Sequence, residues 1–140
     1  MLIRDQRPET KVPEAPRRTP STQEWLRDRI NVWVAIAVGV SWFVLTPIAA
    51  ALEPATDRAE PLLGTLLGAS MDVLFVVMLL GLAMRRRWGL VASIAGGALV
   101  TAMVVACPTT GHHQFGTWWY GEMACALALV GISVAALRRA

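Results

Sequence analysis

Charged residues are scarce in this chain, and their scarcity argues against a soluble globular domain. Asp, Glu, Lys and Arg make up 16% of the 140 residues, whereas 55% are hydrophobic. A soluble domain carries roughly a quarter charged residues. The charges are clustered, and apolar runs of about 20 residues separate the clusters, which is the length a helix needs to cross a bilayer. We therefore predict an integral membrane protein.

Cysteine is rare as well, since the chain contains only two. No CxxC pair is present, which argues against a disulfide scaffold or a zinc finger. The net charge of +3 does not indicate a nucleic-acid partner, because the basic residues lie where membrane topology would place them. The lipid bilayer is the predicted surrounding of this chain.

Four apolar runs define the predicted fold, which is all-α: an up-down bundle of four transmembrane helices. The predicted spans are about 30–52, 61–84, 88–107 and 117–137. Pro108 is expected to stop the third span, because proline disrupts a helix interior. Cleavage of the first span as a signal peptide is disfavoured, because its apolar core exceeds the usual 7–15 residues.

The N-terminal region has a different character. Residues 1–20 contain four prolines and mixed charges without apolar periodicity, so we predict a disordered tail. Ser21 followed by Glu24 is a capping-box pattern, and we expect it to start a helix that runs along the membrane surface into the first span. Residues 21–140 form the predicted transmembrane domain.

The basic residues predict the orientation in the membrane. If the chain crosses four times, 12 of its 13 basic residues fall on one side and only Arg58 falls on the other. The positive-inside rule then predicts that both termini lie on the cytoplasmic side. The expected membrane is a bacterial-type plasma membrane. Arg85, Arg86 and Arg87 would lie on the same side, where they could bind an anionic lipid headgroup.

Small residues recur at helical spacing in the second and third spans. Close helix contacts in lipid favour such residues. We expect the two spans to pack as an antiparallel pair through these stripes, which comprise Gly64, Gly68 and Asp72 in one span and Gly89, Ser93 and Gly97 in the other.

Two acids are predicted inside the membrane. Asp72 lies roughly 16 Å below Pro61, near the bilayer centre, and Glu122 lies roughly 8 Å below the outer surface. Acids at such depth are costly and mark function by default. We expect Asp72 to face the bundle interior, either as a neutral group bonded to Ser41 or Ser93 or as a functional acid. Glu122 could instead be merely interfacial.

The loop between the third and fourth spans collects soft and polar ligands. Cys107, His112 and His113 would lie beside Glu122, and these residue types bind zinc, copper and iron. The spacing matches no named metal motif. We expect residues 108–116 to fold over the bundle and bring one histidine near Glu122, as a plain ion pair or as a metal or haem site. Cys125 lies too far along its helix for a disulfide with Cys107.

Three functions are compatible with this sequence. The first is an accessory or scaffold subunit that docks on a larger membrane complex, which the small size favours over an enzyme. The second is a membrane oxidoreductase or metal- or haem-handling protein that uses the Cys, His and Glu cluster. The third is a small transporter or channel, a homo-oligomer built around Asp72.

Overall fold

The structure, a computed structural model, is helical over the residues that it describes, which are 21–55, 62–111 and 113–140. The predicted tail of residues 1–20 lies outside them. The short helix α1 is followed by four long helices. Their bounds are Thr22–Arg27 for α1, Val32–Leu52 for α2, Leu62–Ala83 for α3, Arg87–Thr109 for α4 and Thr117–Arg139 for α5.

The four long helices have the length and the composition of membrane spans. They contain 21 to 23 residues each and are apolar enough to cross a bilayer. The bounds predicted from the apolar runs differ from these helices by no more than two residues at either end. Large apolar side chains lie on the outside, such as Leu62 at 76% and Trp33 at 72% exposure. Apolar surface of this extent is unusual on a soluble monomer.

Helix α1 begins as the capping box predicts but ends earlier than we expect. The Ser21 backbone N–H donates to the Glu24 carboxylate at 2.8 Å, and the Glu24 N–H donates to the Ser21 hydroxyl at 3.3 Å. The predicted continuous helix into the first span is wrong, because Asp28 is extended. Residues 28–30 pair instead with the turn before α4, where the Ile30 N–H donates to the Arg85 carbonyl at 2.8 Å.

The long helices contact one another in the order α3, α4, α5, α2. Contacts between α4 and α5 run antiparallel, because Ser93 meets Ser133 near one end and Val104 meets Trp119 near the other. Helices α2 and α3 follow each other in the chain, yet they contact each other far less than either contacts its main neighbour. The resulting arrangement has a seam between α2 and α3.

A chain of hydrogen bonds crosses the buried centre and joins three helices. The Trp42 indole N–H of α2 donates to the Ser93 hydroxyl of α4 at 2.7 Å. The Ser93 and Ser133 hydroxyl oxygens lie 2.7 Å apart, and the Ser133 hydroxyl donates to the Leu129 carbonyl at 2.7 Å. Since the Ser133 proton is used there, Ser93 is the donor in the middle bond. Each polar hydrogen of these three side chains therefore has an acceptor, as a dry interior requires.

Helices α3 and α4 approach most closely through two glycines. A Cβ atom added at Gly89 would lie 2.6 Å from the carbonyl carbon of Gly81, which is nearer than real side chains come. Backbone therefore touches backbone here, the kind of contact for which small residues are selected in lipid. Gly89 belongs to the predicted packing stripe of the third span, whereas Gly81 does not belong to the predicted stripe of the second.

The rest of the predicted stripes face elsewhere. Ser93 bonds to α2 and α5, and Gly97 packs against Val130 of α5 instead of α3. A Cβ at Gly68 would meet no atom within 4 Å, and Gly64 lines a cavity. The expected pairing of α3 and α4 through both full stripes is therefore wrong. Helix α4 lies at the centre of the assembly, and its small residues contact α2, α3 and α5.

The three arginines that precede and begin α4 bind the protein's own backbone. The Arg85 guanidinium donates to the Ile30 carbonyl at 3.2 Å, and that of Arg86 donates to the Arg27 carbonyl. Arg87 donates to the Ala140 carbonyl at 2.7 Å. These bonds fasten α1 and the last residue of the chain to one end of the helix assembly, which we call the arginine end. Binding of a lipid headgroup by these arginines stays a prediction.

Candidate functional site

At the end opposite the arginine end, α2 finishes with an acid. Glu53 is the C-terminal cap of α2, and Pro54 follows it. Proline disfavours a helical conformation for the residue before it, which explains why the helix stops there. The Glu53 side chain is 44% exposed and points toward the loop between α4 and α5, where it meets His113.

Pro108 does not stop α4, which continues to Thr109 and contradicts our prediction. Proline has no amide hydrogen, so the Val104 carbonyl four residues earlier loses its helical donor. The Trp119 indole N–H of α5 donates to that carbonyl at 2.9 Å. This side-chain bond replaces the missing backbone bond and joins α5 to the turn of α4 that carries Cys107.

The loop after α4 turns back toward the bundle. Gly111 adopts a φ of 72°, a conformation that glycine tolerates better than other residues. His113 is then buried, with 6% exposure, and its ring lies 5.5 Å from that of Trp118. The predicted return of this loop is therefore seen at His113. His112 lies outside the described residues.

His113 pairs with a different acid from the one that we expect. Its Nε2 atom lies 2.9 Å from Oε1 of Glu53. No ion pair joins Glu122 to any other residue in the described ranges. The difference is geometric, because Glu53 ends its helix beside the loop whereas Glu122 lies inside α5, beyond its first turn.

Three potential metal ligands converge at this end. The carboxylate of Glu53, the thiol of Cys107 and the imidazole of His113 place one ligand atom each within 4.8 Å of one another. We call these three residues the ligand cluster. It contains two residues of the predicted set, Cys107 and His113, and one that the sequence reasoning interpreted only as the end of a span.

Glu122 lies beside the ligand cluster but forms a separate feature. Its side chain is buried, at 7% exposure, and it is close enough to Glu53 and Cys107 for an electrostatic interaction. The helix assembly therefore buries this side chain, and its depth in a bilayer stays a prediction. Its carboxylate contributes to the wall of a cavity.

The cavity has a volume of about 370 Å³ and reaches from the ligand cluster into the bundle. Its walls are mainly apolar and come from both sides of the seam between α2 and α3, with α4 behind. The principal apolar lining residues are Ala49, Leu63, Leu67, Met71, Val100 and Met103. At the end near the ligand cluster, most of the polar lining groups belong to Glu53, Cys107 and Glu122.

Asp72 does not take part in this site. Its side chain is exposed on the outside of α3, and no hydrogen bond or ion pair to it is found within residues 21–55, 62–111 and 113–140. The expectation that Asp72 faces the bundle interior is therefore wrong. Helix α3 buries the opposite face, which carries Met78, Gly81 and Leu82.

Both cysteines are free thiols, which agrees with the expectation that they do not form a disulfide. Cys125 is not a member of the ligand cluster.

Glu53 could have been found from the sequence, because the first and third spans end on the same side of a four-span protein. That topology places Glu53 and Cys107 at one surface.

The ligand cluster combines a thiol, an imidazole and a carboxylate. Zinc sites that act on substrates commonly use three protein ligands and keep a fourth position open. Two members of the ligand cluster, Glu53 and Cys107, also line the cavity. No protein-family model, no curated protein and no solved structure matches this chain.

Proposed function

We propose that this protein binds a transition-metal ion, of which Zn²⁺ is the best candidate, at the extracytoplasmic end of an up-down four-helix membrane bundle. The observation that carries the proposal is the convergence of Glu53, Cys107 and His113 within 4.8 Å. A His–Glu pair that only fixed the loop would not need a cysteine at the same point. Thiolate, imidazole and carboxylate are all established zinc ligands.

The size of the ligand cluster supports a tetrahedral ion. Metal–ligand distances of about 2.0–2.3 Å place neighbouring ligand atoms about 3.3–3.8 Å apart. The three atoms of this cluster lie within 4.8 Å of one another, so they would have to move together by about 1 Å to close around an ion. The Glu53–His113 ion pair would open, and both groups would turn their lone pairs toward the metal.

Zinc titration of the purified protein in mild detergent tests the metal site. We expect one tightly bound ion in the wild type. Cys107→Ser, His113→Ala and Glu53→Gln should each weaken binding by more than about a hundredfold, because loss of outer-shell partners alone costs about 10–100-fold. Cys125→Ser is the matched control and should bind like the wild type.

Cobalt gives an independent readout of the thiolate. A thiolate-to-cobalt charge-transfer band should appear with the wild type and with Cys125→Ser, and it should be absent from Cys107→Ser. His112→Ala tests whether the neighbouring histidine supplies a fourth ligand. Unchanged zinc affinity in Cys107→Ser would contradict the proposal, and the His113–Glu53 pair would then serve only to fix the loop.

The proposed orientation rests on the distribution of basic residues, which places both termini and the arginine end in the cytoplasm. Cysteine labelling of intact cells tests it in a background that lacks Cys107 and Cys125. A membrane-impermeant reagent should label a cysteine placed at Thr110 but not one placed at Arg86. The reverse pattern would invert the topology and place the ligand cluster inside.

A second candidate function is that of an accessory subunit, which the position of Asp72 favours. Asp72 is the eleventh residue of the 22-residue α3, about 15 Å along the axis from Leu62 at 1.5 Å per residue. An exposed acid at that depth is costly in hydrocarbon. The spans of this chain carry no lysine or arginine in their interiors, so charge complementarity points to a basic helix of another protein.

Model helices test this second candidate in liposomes. A polyleucine transmembrane peptide with one central arginine should associate with the wild type, as measured by fluorescence energy transfer. The same peptide with glutamine at that position should associate less, and Asp72→Asn should remove the difference. Equal transfer with both peptides would rule out recognition through Asp72, and self-transfer between wild-type copies would favour a homo-oligomer.

A further inference from the structure

The cavity at the seam has the size and the walls of a small-molecule site. Its volume of about 370 Å³ falls within the usual range for such sites. Most of the lining is aliphatic or methionine, contributed by α2, α3 and α4. A molecule that fills it must therefore be largely apolar, because few polar groups are available along most of its length.

Glu122 is the exceptional group in this wall. Only 7% of its surface is exposed, and it lines the cavity. Within the part of the chain that the structure describes, its carboxylate makes no hydrogen bond and no ion pair. Carboxylates in such surroundings are normally paired or bonded, and a molecule in the cavity could supply the partner of Glu122.

The charge around Glu122 identifies the partner that would fit. Among the described residues, the lining of the cavity includes no lysine, arginine or histidine. The other acid of the lining, Glu53, is already paired with His113. A carboxylate can only accept hydrogen bonds, so the complementary head group must donate them and is favoured further if it carries positive charge.

We propose that this cavity binds a lipid-soluble amine, with the protonated amine against Glu122 and the apolar body between α2 and α3. The inference rests on the proposed membrane arrangement, because the seam would then face the acyl chains and admit the molecule sideways from the bilayer. It does not rest on the metal. Glu122 is outside the ligand cluster, so zinc at Glu53, Cys107 and His113 leaves its carboxylate available.

Two matched probes test the charge requirement in lipid nanodiscs. 4-Phenylbutylamine and 4-phenylbutanol have nearly the same shape, and only the amine is cationic at neutral pH. By equilibrium dialysis, we expect the wild type to bind the amine about tenfold or more tightly than the alcohol, since hydrogen bonds to charged groups are the strong ones. Empty nanodiscs correct for partition of each probe into lipid.

Three variants test whether the preference for the amine over the alcohol arises in the cavity. Glu122→Gln keeps the shape of the side chain and should abolish the preference for the amine. Asp72→Asn removes an acid on the outside of α3 and should leave the preference unchanged. Ala49→Phe places a ring in the cavity and should weaken binding of both probes, while circular dichroism and detergent-resistant folding confirm that the variant is folded.

Measuring amine binding with and without zinc distinguishes the proposed amine site from the proposed metal site. The preference for the amine should persist with saturating zinc and with a chelator, and Cys107→Ser should retain it while losing zinc. A preference that survives Glu122→Gln would overturn the inference. It would also be overturned if Glu122→Gln loses zinc binding without any change in amine binding, because Glu122 would then be a metal ligand.

Discussion

The two ends of the helix assembly are built by different means. At the arginine end, Ile30 and Arg85 join by a backbone bond, and Gly81 touches Gly89 backbone to backbone. At the other end, which carries the ligand cluster, α2 and α3 stand apart and leave a cavity of about 370 Å³. The arginines of the arginine end donate to backbone carbonyls, whereas Glu53 and His113 at the cavity end pair through their side chains.

This difference places the close backbone contacts at one end and the three potential metal ligands at the other. Backbone contacts at the arginine end depend on shape and tolerate little substitution. At the cavity end, the side-chain bond from the Trp119 indole to the Val104 carbonyl joins α5 to α4. A protein that must bind a metal or a small molecule needs such a separation, because binding groups often cost stability.

The largest expected effect is at the glycine contact of the arginine end. Gly89→Ala should lower the free energy of unfolding by about 3 kcal/mol, the upper part of the usual range for overpacking, because the new methyl group would meet backbone that cannot move aside. Unfolding in mixed detergent micelles measures it. Gly131→Ala is the matched control, since a Cβ there meets nothing within 4 Å. Equal stability of the two variants would disprove the close contact.

The buried hydrogen bonds that link Trp42, Ser93 and Ser133 should show the next largest effect. Ser93→Ala removes the acceptor of the Trp42 indole N–H and should cost about 2 kcal/mol, because a buried donor is left without a partner. Ser70→Ala is the control, since the Ser70 hydroxyl is exposed and bonds only to the Leu66 carbonyl of its own helix. The same unfolding assay compares them. An equal loss in both variants would mean that the central chain does not form.

At the cavity end, a double-mutant cycle measures the bond that replaces the missing amide of Pro108. Trp119→Phe should cost about 1 kcal/mol through loss of the bond to the Val104 carbonyl. Pro108→Ala restores the backbone donor, so Trp119→Phe should cost less in that background. Additive losses in the double variant would show that the indole does not compensate for Pro108.

The smallest effect concerns pH at the capping box of α1. Hydrogen bonds from Ser21, first from its backbone N–H and then from its hydroxyl group, lower the pKa of the Glu24 carboxyl. The ionised carboxylate therefore stabilises α1 above the ordinary glutamate pKa, and this contribution is lost as the pH falls through the lowered value. Backbone chemical shifts of α1 should report fraying in acid. Glu24→Gln should flatten this response, and a wild-type helix without any acid response would contradict the capping box.

Helix positions were predictable here because the physics that fixes them is local. In hydrocarbon every backbone group must bond within its own helix, so the length of an apolar run nearly determines the length of the helix. The pairing of Glu53 with His113 was harder to foresee, since these residues are separated by two spans. Topology limits them to one surface but does not choose between Glu53 and Glu122 as the partner.

The rotation of each helix was the least predictable feature. Asp72 illustrates it, because α3 has apolar and small residues on every side, and no periodicity distinguishes the face toward α4 from the face toward lipid. In water, burial of the apolar face would decide the rotation, but lipid removes that driving force. The close contact of Gly81 with Gly89 decides it instead, and Gly81 lies outside the stripe that seemed most regular.

The seam also has a consequence for the order in which the protein assembles. Helix α2 packs mainly on α5, which the ribosome makes last, whereas α3 meets its principal neighbour α4 as soon as the next span is inserted. If the four helices insert one after another in the proposed membrane arrangement, α2 has no extensive contact until α5 is in place. The α2 wall of the cavity would then be positioned after α3 and α4 have already paired.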